Sequence, residues 1–151
     1  MVRPVKAIKP RTKLIAVTHC SNVLGTLVDV VAICAGAWTY GVPVLVDGSQ
    51  AAIHMPINVE QIGCDFYAVT GHKLYGPSGS GAIYVHQDRM AEMRPFMGGG
   101  DMIREVTRDT VIYNAAPMKF EAGTPRHCAD HWPGRGARLY DRVRHGQHRR
   151  P

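Results

Sequence analysis

Cysteine is scarce and scattered in this chain. The four cysteines, Cys20, Cys34, Cys64 and Cys128, form no Cys-x-x-Cys pair. Neither a zinc ribbon nor a disulfide framework is indicated, and a reducing cytoplasm is the expected setting. No apolar run approaches the ~20 residues that a membrane-spanning helix needs. The opening residues, Met-Val-Arg-Pro-Val-Lys, lack the apolar stretch of a secretory signal. Phosphate-loop signatures are missing too. Gly76 and Gly81 have the first spacing of a Walker loop, but Ala82-Ile83 follows where Lys-Ser/Thr is required. Gly79 and Gly81 lack the third glycine of a dinucleotide fingerprint and precede a strand pattern instead of a helix. No internal repeat is visible.

What is present amounts to about one domain. A chain of 151 residues buries roughly two-thirds of the surface its unfolded form exposes. Hydrophobic residues at 45% and charged residues at 20% exclude a wholly disordered or fibrous chain. The formal charge of +6 is unevenly spread. Residues 126–151 carry seven Arg against two Asp, whereas the eleven Lys and Arg before them nearly balance ten acidic residues. The body therefore carries no nucleic-acid footprint, and any affinity for polyanions belongs to the tail. Arg and His fill eleven of those last 26 positions, with Leu139 and Val143 the only branched aliphatics. Such a segment cannot bury a core and is expected to stay disordered.

Before the tail, apolar runs alternate with helical patterns. Leu14–Val17 and Pro43–Val46 read as strands buried on both faces. Leu27 to Tyr40 reads as the helix between them, with Leu27, Val30, Val31, Cys34 and Trp38 as its apolar positions. A short helix near Val59–Ile62, a third strand at Phe66–Val69, a fourth at Ala82–Val85 and a short helix at Gln87–Met93 follow. Strands alternating with helices predict an α/β fold whose mostly parallel sheet has flanking helices. Only a glycine-rich loop separates the last two strands, which allows the fourth to run antiparallel. Met97 to Pro125 has no clear period.

In such a sheet, ligands bind outside the carboxyl ends of the strands. The first strand leads to Asn22, the second to Asp47 and Gln50, and the third to Thr70, His72 and Lys73. Each has an ordinary structural reading taken alone. Asp47 is a typical turn or cap residue, Asn22 a typical Asx-turn residue, His72 a typical hydrogen-bonded histidine, and a lysine in a glycine-rich loop is typically solvated. Their coincidence on consecutive strand ends favours function. Lysine forms Schiff bases with carbonyl groups, and a pyridoxal ring needs an anion beside its protonated nitrogen. Lys73 and Asp47 fit that pair, with Gln50 for the ring oxygen and Thr70 and His72 for the phosphate.

The segments Ser21-Asn-Val-Leu-Gly25, Val44-Leu-Val-Asp-Gly-Ser-Gln50, Gly71-His-Lys-Leu-Tyr-Gly-Pro-Ser-Gly79 and Phe120-Glu-Ala-Gly-Thr-Pro125 resemble the cysteine desulfurase/selenocysteine lyase group. This group belongs to the class V aminotransferases among fold-type-I pyridoxal-phosphate enzymes. Gly98-Gly99-Gly100 favours the desulfurase branch. The resemblance implies that Lys73 carries the cofactor and moves protons at the substrate carbon, that Asp47 pairs with the ring nitrogen, and that Gln50 bonds the ring oxygen. It implies that Asn22 lies near the ring oxygen and substrate carboxylate, and that Thr70 and His72 hold the phosphate. It implies that Thr124 reaches the phosphate of the other subunit in a homodimer. The implied substrate is L-cysteine or selenocysteine, with a sulfur-acceptor protein as partner.

The resemblance runs from Lys6 to Pro125, part of a large domain. Residues 1–125 are thus expected to be an incomplete pyridoxal-phosphate-binding domain, and 126–151 an unmatched tail. The family's upstream cofactor-stacking ring, sulfur-accepting cysteine and carboxylate-clamping arginine have no counterpart here. Cys34 and Cys64 read as core thiols. The expectation is a product shortened at both ends, with Arg126-His-Cys standing where a shifted reading frame in GC-rich DNA has replaced a family helix, and with little or no activity of its own. Other class V aminotransferases or lyases, a nonfunctional remnant, and a binding module with a polyanion-binding tail are the alternatives.

Overall fold

The computed structural model describes residues 7–124, so the basic segment 126–151 lies outside the described residues. Four strands form one sheet in the order β1 (Ile15–Thr18), β2 (Val44–Asp47), β3 (Phe66–Thr70), β4 (Gly81–Val85). β1–β2 and β2–β3 are parallel, and β3–β4 is antiparallel. This is the expected α/β architecture, with the fourth strand reversed because the chain between it and β3 is too short for a crossover.

Helix α1 (Val30–Trp38) begins three residues later than its apolar pattern predicts. The chain leaving β1 first closes a loop, with Cys20 bridged antiparallel to Leu27 and the Val28 amide donating to the His19 carbonyl at 2.9 Å. Asp29 then caps the helix, its carboxylate accepting from the Ala32 amide at 3.0 Å, an arrangement worth about 1 kcal/mol. Two short helices, α2 (Ala51–His54) and α3 (Val59–Ile62), join β2 to β3. α4 (Gln87–Glu92) follows β4. Sequence period revealed α3 and α4 but not α2, which is a single turn.

The core lies on one face of the sheet. Val44 and Val46 of β2 and Tyr67 of β3 pack with Val30, Ile33, Cys34 and Ala37 of α1 and with Ile62 and Cys64. β1 is not buried on both faces as its apolar run predicts. Ile15 and Val17 are half-buried, whereas Ala16 and Thr18 are exposed, because β1 is an edge strand with only β2 beside it. Cys34 and Cys64 are core thiols as expected, and burial pushes Cys34 up to about 11. At the amino-terminal end of the sheet Asp65 accepts from the Val44 amide at 2.8 Å and from Arg89 Nε at 2.7 Å. That half-buried carboxylate ties β2 to α4 and leaves the opposite end of the sheet for other work.

Met97–Phe120 holds structure that its irregular sequence conceals. β5 (Ile103–Val106) and β6 (Val111–Tyr113) form an antiparallel hairpin with a register shift. Met102 beneath it is fully buried. The Gly123 amide donates to the Gly100 carbonyl at 3.1 Å, so the glycine triplet and the Phe-Glu-Ala-Gly-Thr segment meet.

Candidate cofactor site at the carboxyl ends of the strands

Parallel pairing sends β1, β2 and β3 out of the same edge. In register, Thr18 lies beside Asp47 and Asp47 beside Ala68. Asp47 is the last residue of β2, and Gln50 is the residue that opens α2. Thr70 ends β3, and His72 and Lys73 occupy the 3-10 helix Gly71–Leu74 that follows. Asn22 sits in the loop after β1. Six of the seven candidate residues are thus carried by the chain leaving three adjacent parallel strands at one edge. Thr124 is not among them. It is exposed, follows the β5–β6 hairpin, and is joined to this edge by no hydrogen bond among the described residues.

Backbone bonds hold the edge in shape. The His19 amide donates to the Asp47 carbonyl and the Gly48 amide to the Ala68 carbonyl, both at 2.9 Å, so β1, β2 and β3 stay linked through the turn. Asp47 Oδ1 accepts from the Ser49 amide at 2.9 Å, an Asx turn that fixes the carboxylate while leaving it exposed. The Gly71 amide donates to the Ser80 carbonyl at 2.8 Å, and the Gly76 amide to the Gly71 carbonyl at 2.9 Å. A side chain at Gly71 would collide with the Ser80 hydroxyl, so glycine is required for the Pro77–Ser80 loop to close over the segment carrying Lys73. Thr70 Oγ1 and His72 Nδ1 lie 3.0 Å apart in one hydrogen bond, which orders the two candidate phosphate-binding groups side by side.

Among the described residues, the charges at this edge enter no ion pair. The ion pairs among the described residues are His86–Asp88, Arg89–Asp65 and Arg89–Glu92. Neither Asp47 nor Lys73 takes part. The chain at this edge carries a carboxylate, an amine, an amide, a hydroxyl and an imidazole, with the acid and the amine in no ion pair among the described residues. This donor set fits a ligand with one cationic ring nitrogen, one aldehyde and one phosphate. A cleft of about 1130 Å³ opens between α1, α3 and α4, lined by Val31, Trp38, Asp65 and Arg89 among others. It contains none of the candidate residues, and its acid and guanidinium are already bonded to each other.

Two residues escaped the sequence reading. His19 Nδ1 and the Tyr67 hydroxyl are 3.0 Å apart, with the rings edge to face at 87°. Burial lowers the His19 pKa from its ordinary value. Burial, with smaller contributions from Cys64 and Asp47, raises Tyr67 to about 12. Both shifts favour the neutral form. A tyrosine in the middle of a buried strand requires a partner for its hydroxyl, and that requirement was the available signal.

Comparison with known proteins identifies the family. The family described as Aminotransferase class-V matches residues 3–138. The chain belongs to that family. It is 55% identical over 116 residues to a protein of Xylella fastidiosa (strain Temecula1) named probable cysteine desulfurase, covering 77% of this chain and 28% of that one. It is 50% identical over 117 residues to a cysteine desulfurase of Klebsiella pneumoniae (strain 342), covering 77% and 29%. The cysteine desulfurase CsdA from Escherichia coli superimposes with a TM-score of 0.83 at 40% identity, over 91% of this chain and 34% of that one. A mutant of C-DES with glycine covalently linked to its PLP cofactor superimposes with a TM-score of 0.73 at 27% identity, over 95% and 37%. This class V chain spans 17% to 29% of the length of the curated relatives it is compared with, and the family match continues past Pro125 into the basic segment.

Proposed function

We propose that the edge built from β1, β2 and β3 binds pyridoxal 5'-phosphate and that the chain is part of a cysteine desulfurase. The observation that carries this reading is the delivery of Asp47 and Lys73 to one edge of three adjacent strands with neither charge paired to another described residue. Lys73 would hold the cofactor covalently, and as a free amine it would move a proton at the substrate carbon. Asp47, fixed by its Asx turn, would keep the ring nitrogen protonated. Gln50 would bond the ring oxygen, and Asn22 would lie near that oxygen and the substrate carboxylate. Thr70 and His72 would hold the phosphate, and Thr124 would reach the phosphate of a partner subunit in a homodimer. Bound pyridoxal phosphate supplies an electron sink for a negative charge developing at the substrate carbon.

In the complete enzyme the substrate is L-cysteine. A thiolate of the enzyme takes the substrate sulfur as a persulfide, the carbon skeleton leaves as L-alanine, and the persulfide passes to a sulfur-acceptor protein. Among the described residues no cysteine suits that thiolate. Cys20, Cys34 and Cys64 are buried, and a thiol raised as far as Cys34 is a poor nucleophile at neutral pH. The chain is therefore proposed to hold the cofactor half of the chemistry.

A lyase reading has one specific observation in its favour. The cystine C-S lyase C-DES, in complex with its product cysteine persulfide, superimposes with a TM-score of 0.78 at 27% identity. Both readings need the same cofactor half. Titrating the full-length chain with pyridoxal phosphate is expected to produce a saturable yellow species with one cofactor per chain. Absorbance that rises without saturation contradicts the proposal, because that is how unselected surface amines respond.

A further inference from the structure

The reverse side of the Asp47 turn is occupied by the His19–Tyr67 pair. Val46 is register partner to both Val17 and Tyr67, so side chains alternating from these residues put His19, Gly48 and Tyr67 on the helix-covered face. Asp47 alternates to the other face. The Tyr67 ring fills the space where Gly48 would carry a side chain. It is 3% exposed and its hydroxyl is held by His19 Nδ1 at 3.0 Å. His19 closes the circuit, its amide donating to the Asp47 carbonyl at 2.9 Å.

We propose that His19 and Tyr67 are positioning residues that brace the Asp47–Gly48 turn from behind and so hold the Asp47 carboxylate in the orientation a pyridinium ring requires. The inference deepens the cofactor reading and rests on it for its functional meaning. The bracing itself is a property of the cofactor-free chain. A carboxylate on a free two-residue turn swings with the backbone, whereas this turn is pinned on three sides: by β1 through the His19 amide, by β3 through the Ala68 carbonyl, and from beneath by a phenol that cannot rotate away. The charge of Asp47 contributes to raising the Tyr67 pKa, which agrees with their proximity.

Amide hydrogen exchange on the full-length, cofactor-free chain tests the brace. In Tyr67→Phe and His19→Ala, the Gly48 and Ser49 amides are expected to exchange at least tenfold faster than in wild type, while the amides of Ile33 and Val46 change less than twofold. His19→Asn, whose side-chain amide can stand where Nδ1 stood, is expected to restore slow exchange. Unchanged Gly48 and Ser49 exchange overturns the proposal, as does uniform acceleration of all amides, which marks general destabilisation. Should Tyr67→Phe fail to fold, the His19→Ala and His19→Asn comparison decides. Pyridoxal phosphate affinity is expected to fall at least tenfold in Tyr67→Phe and His19→Ala and to recover in His19→Asn. A wild-type chain that binds no cofactor ends the cofactor reading, while the exchange result still decides the brace. A wild-type chain that binds, with variants that bind equally well, ends the positioning role alone.

Discussion

Lys73→Ala is expected to stay colourless at pyridoxal phosphate concentrations that saturate the wild-type chain. The yellow species requires a carbon–nitrogen double bond to an amine that the surrounding groups have already oriented, and among the described residues at this edge Lys73 is the one that offers an amine. Without it the cofactor retains phosphate and ring contacts but loses its covalent tie. A well-oriented covalent attachment carries effective molarities of many orders of magnitude, so a loss of at least about 100-fold in apparent affinity is a conservative figure on that scale. Lys73→Arg separates chemistry from charge. Arginine keeps the positive charge but stays protonated and cannot condense with an aldehyde, so it too is expected to remain colourless. Lys73 makes no ion pair with a described residue, so neither variant is expected to shift unfolding by more than about 0.5 kcal/mol. Equal colour in wild type and Lys73→Ala removes Lys73 from its role.

Gly48→Ala is expected to cost the fold more than any substitution of a site residue, about 3 kcal/mol or more. Overpacking a filled core costs about 1–3 kcal/mol when neighbours can shift. Here the added methyl group lands on the ring carbons and hydroxyl of Tyr67. That ring is buried and bonded to His19, so it has nowhere to go. Against a typical total of 5–15 kcal/mol, such a loss is large and is measurable by urea unfolding. Trimming the ring provides the control. Gly48→Ala combined with Tyr67→Leu is expected to be about as stable as Tyr67→Leu alone, because the clash disappears with the ring. A Gly48→Ala chain within 0.5 kcal/mol of wild type contradicts the packing described here.

The sequence was legible where one local signal sufficed. Val44–Val46 and Phe66–Val69 are apolar because the inner strands of such a sheet are covered, and the ends of these strands point to a ligand edge by a general rule of such sheets. Asp47, Gln50, Thr70, His72 and Lys73 became candidates that way, and the shortness of the loop after Lys73 made the reversal of β4 legible. Other features depended on partners distant in sequence. Leu27 looks helical by period but bridges to Cys20 instead. Ile103-Arg-Glu-Val106 carries two charges, is mostly exposed, and pairs with an equally exposed Val111–Tyr113, so no burial pattern announced that hairpin. The His19–Tyr67 bond joins residues 48 positions apart and depends on the register of three strands, which neither residue's neighbours reveal.

Reductive trapping tests the central claim most directly. The chain is incubated with equimolar pyridoxal phosphate, reduced with borohydride to make the linkage permanent, digested, and mapped by mass spectrometry. The account predicts a pyridoxyl group on the peptide containing Lys73, at close to one per chain, and little on Lys9, Lys13 or Lys119. A label spread across those lysines, or absent from Lys73, contradicts it.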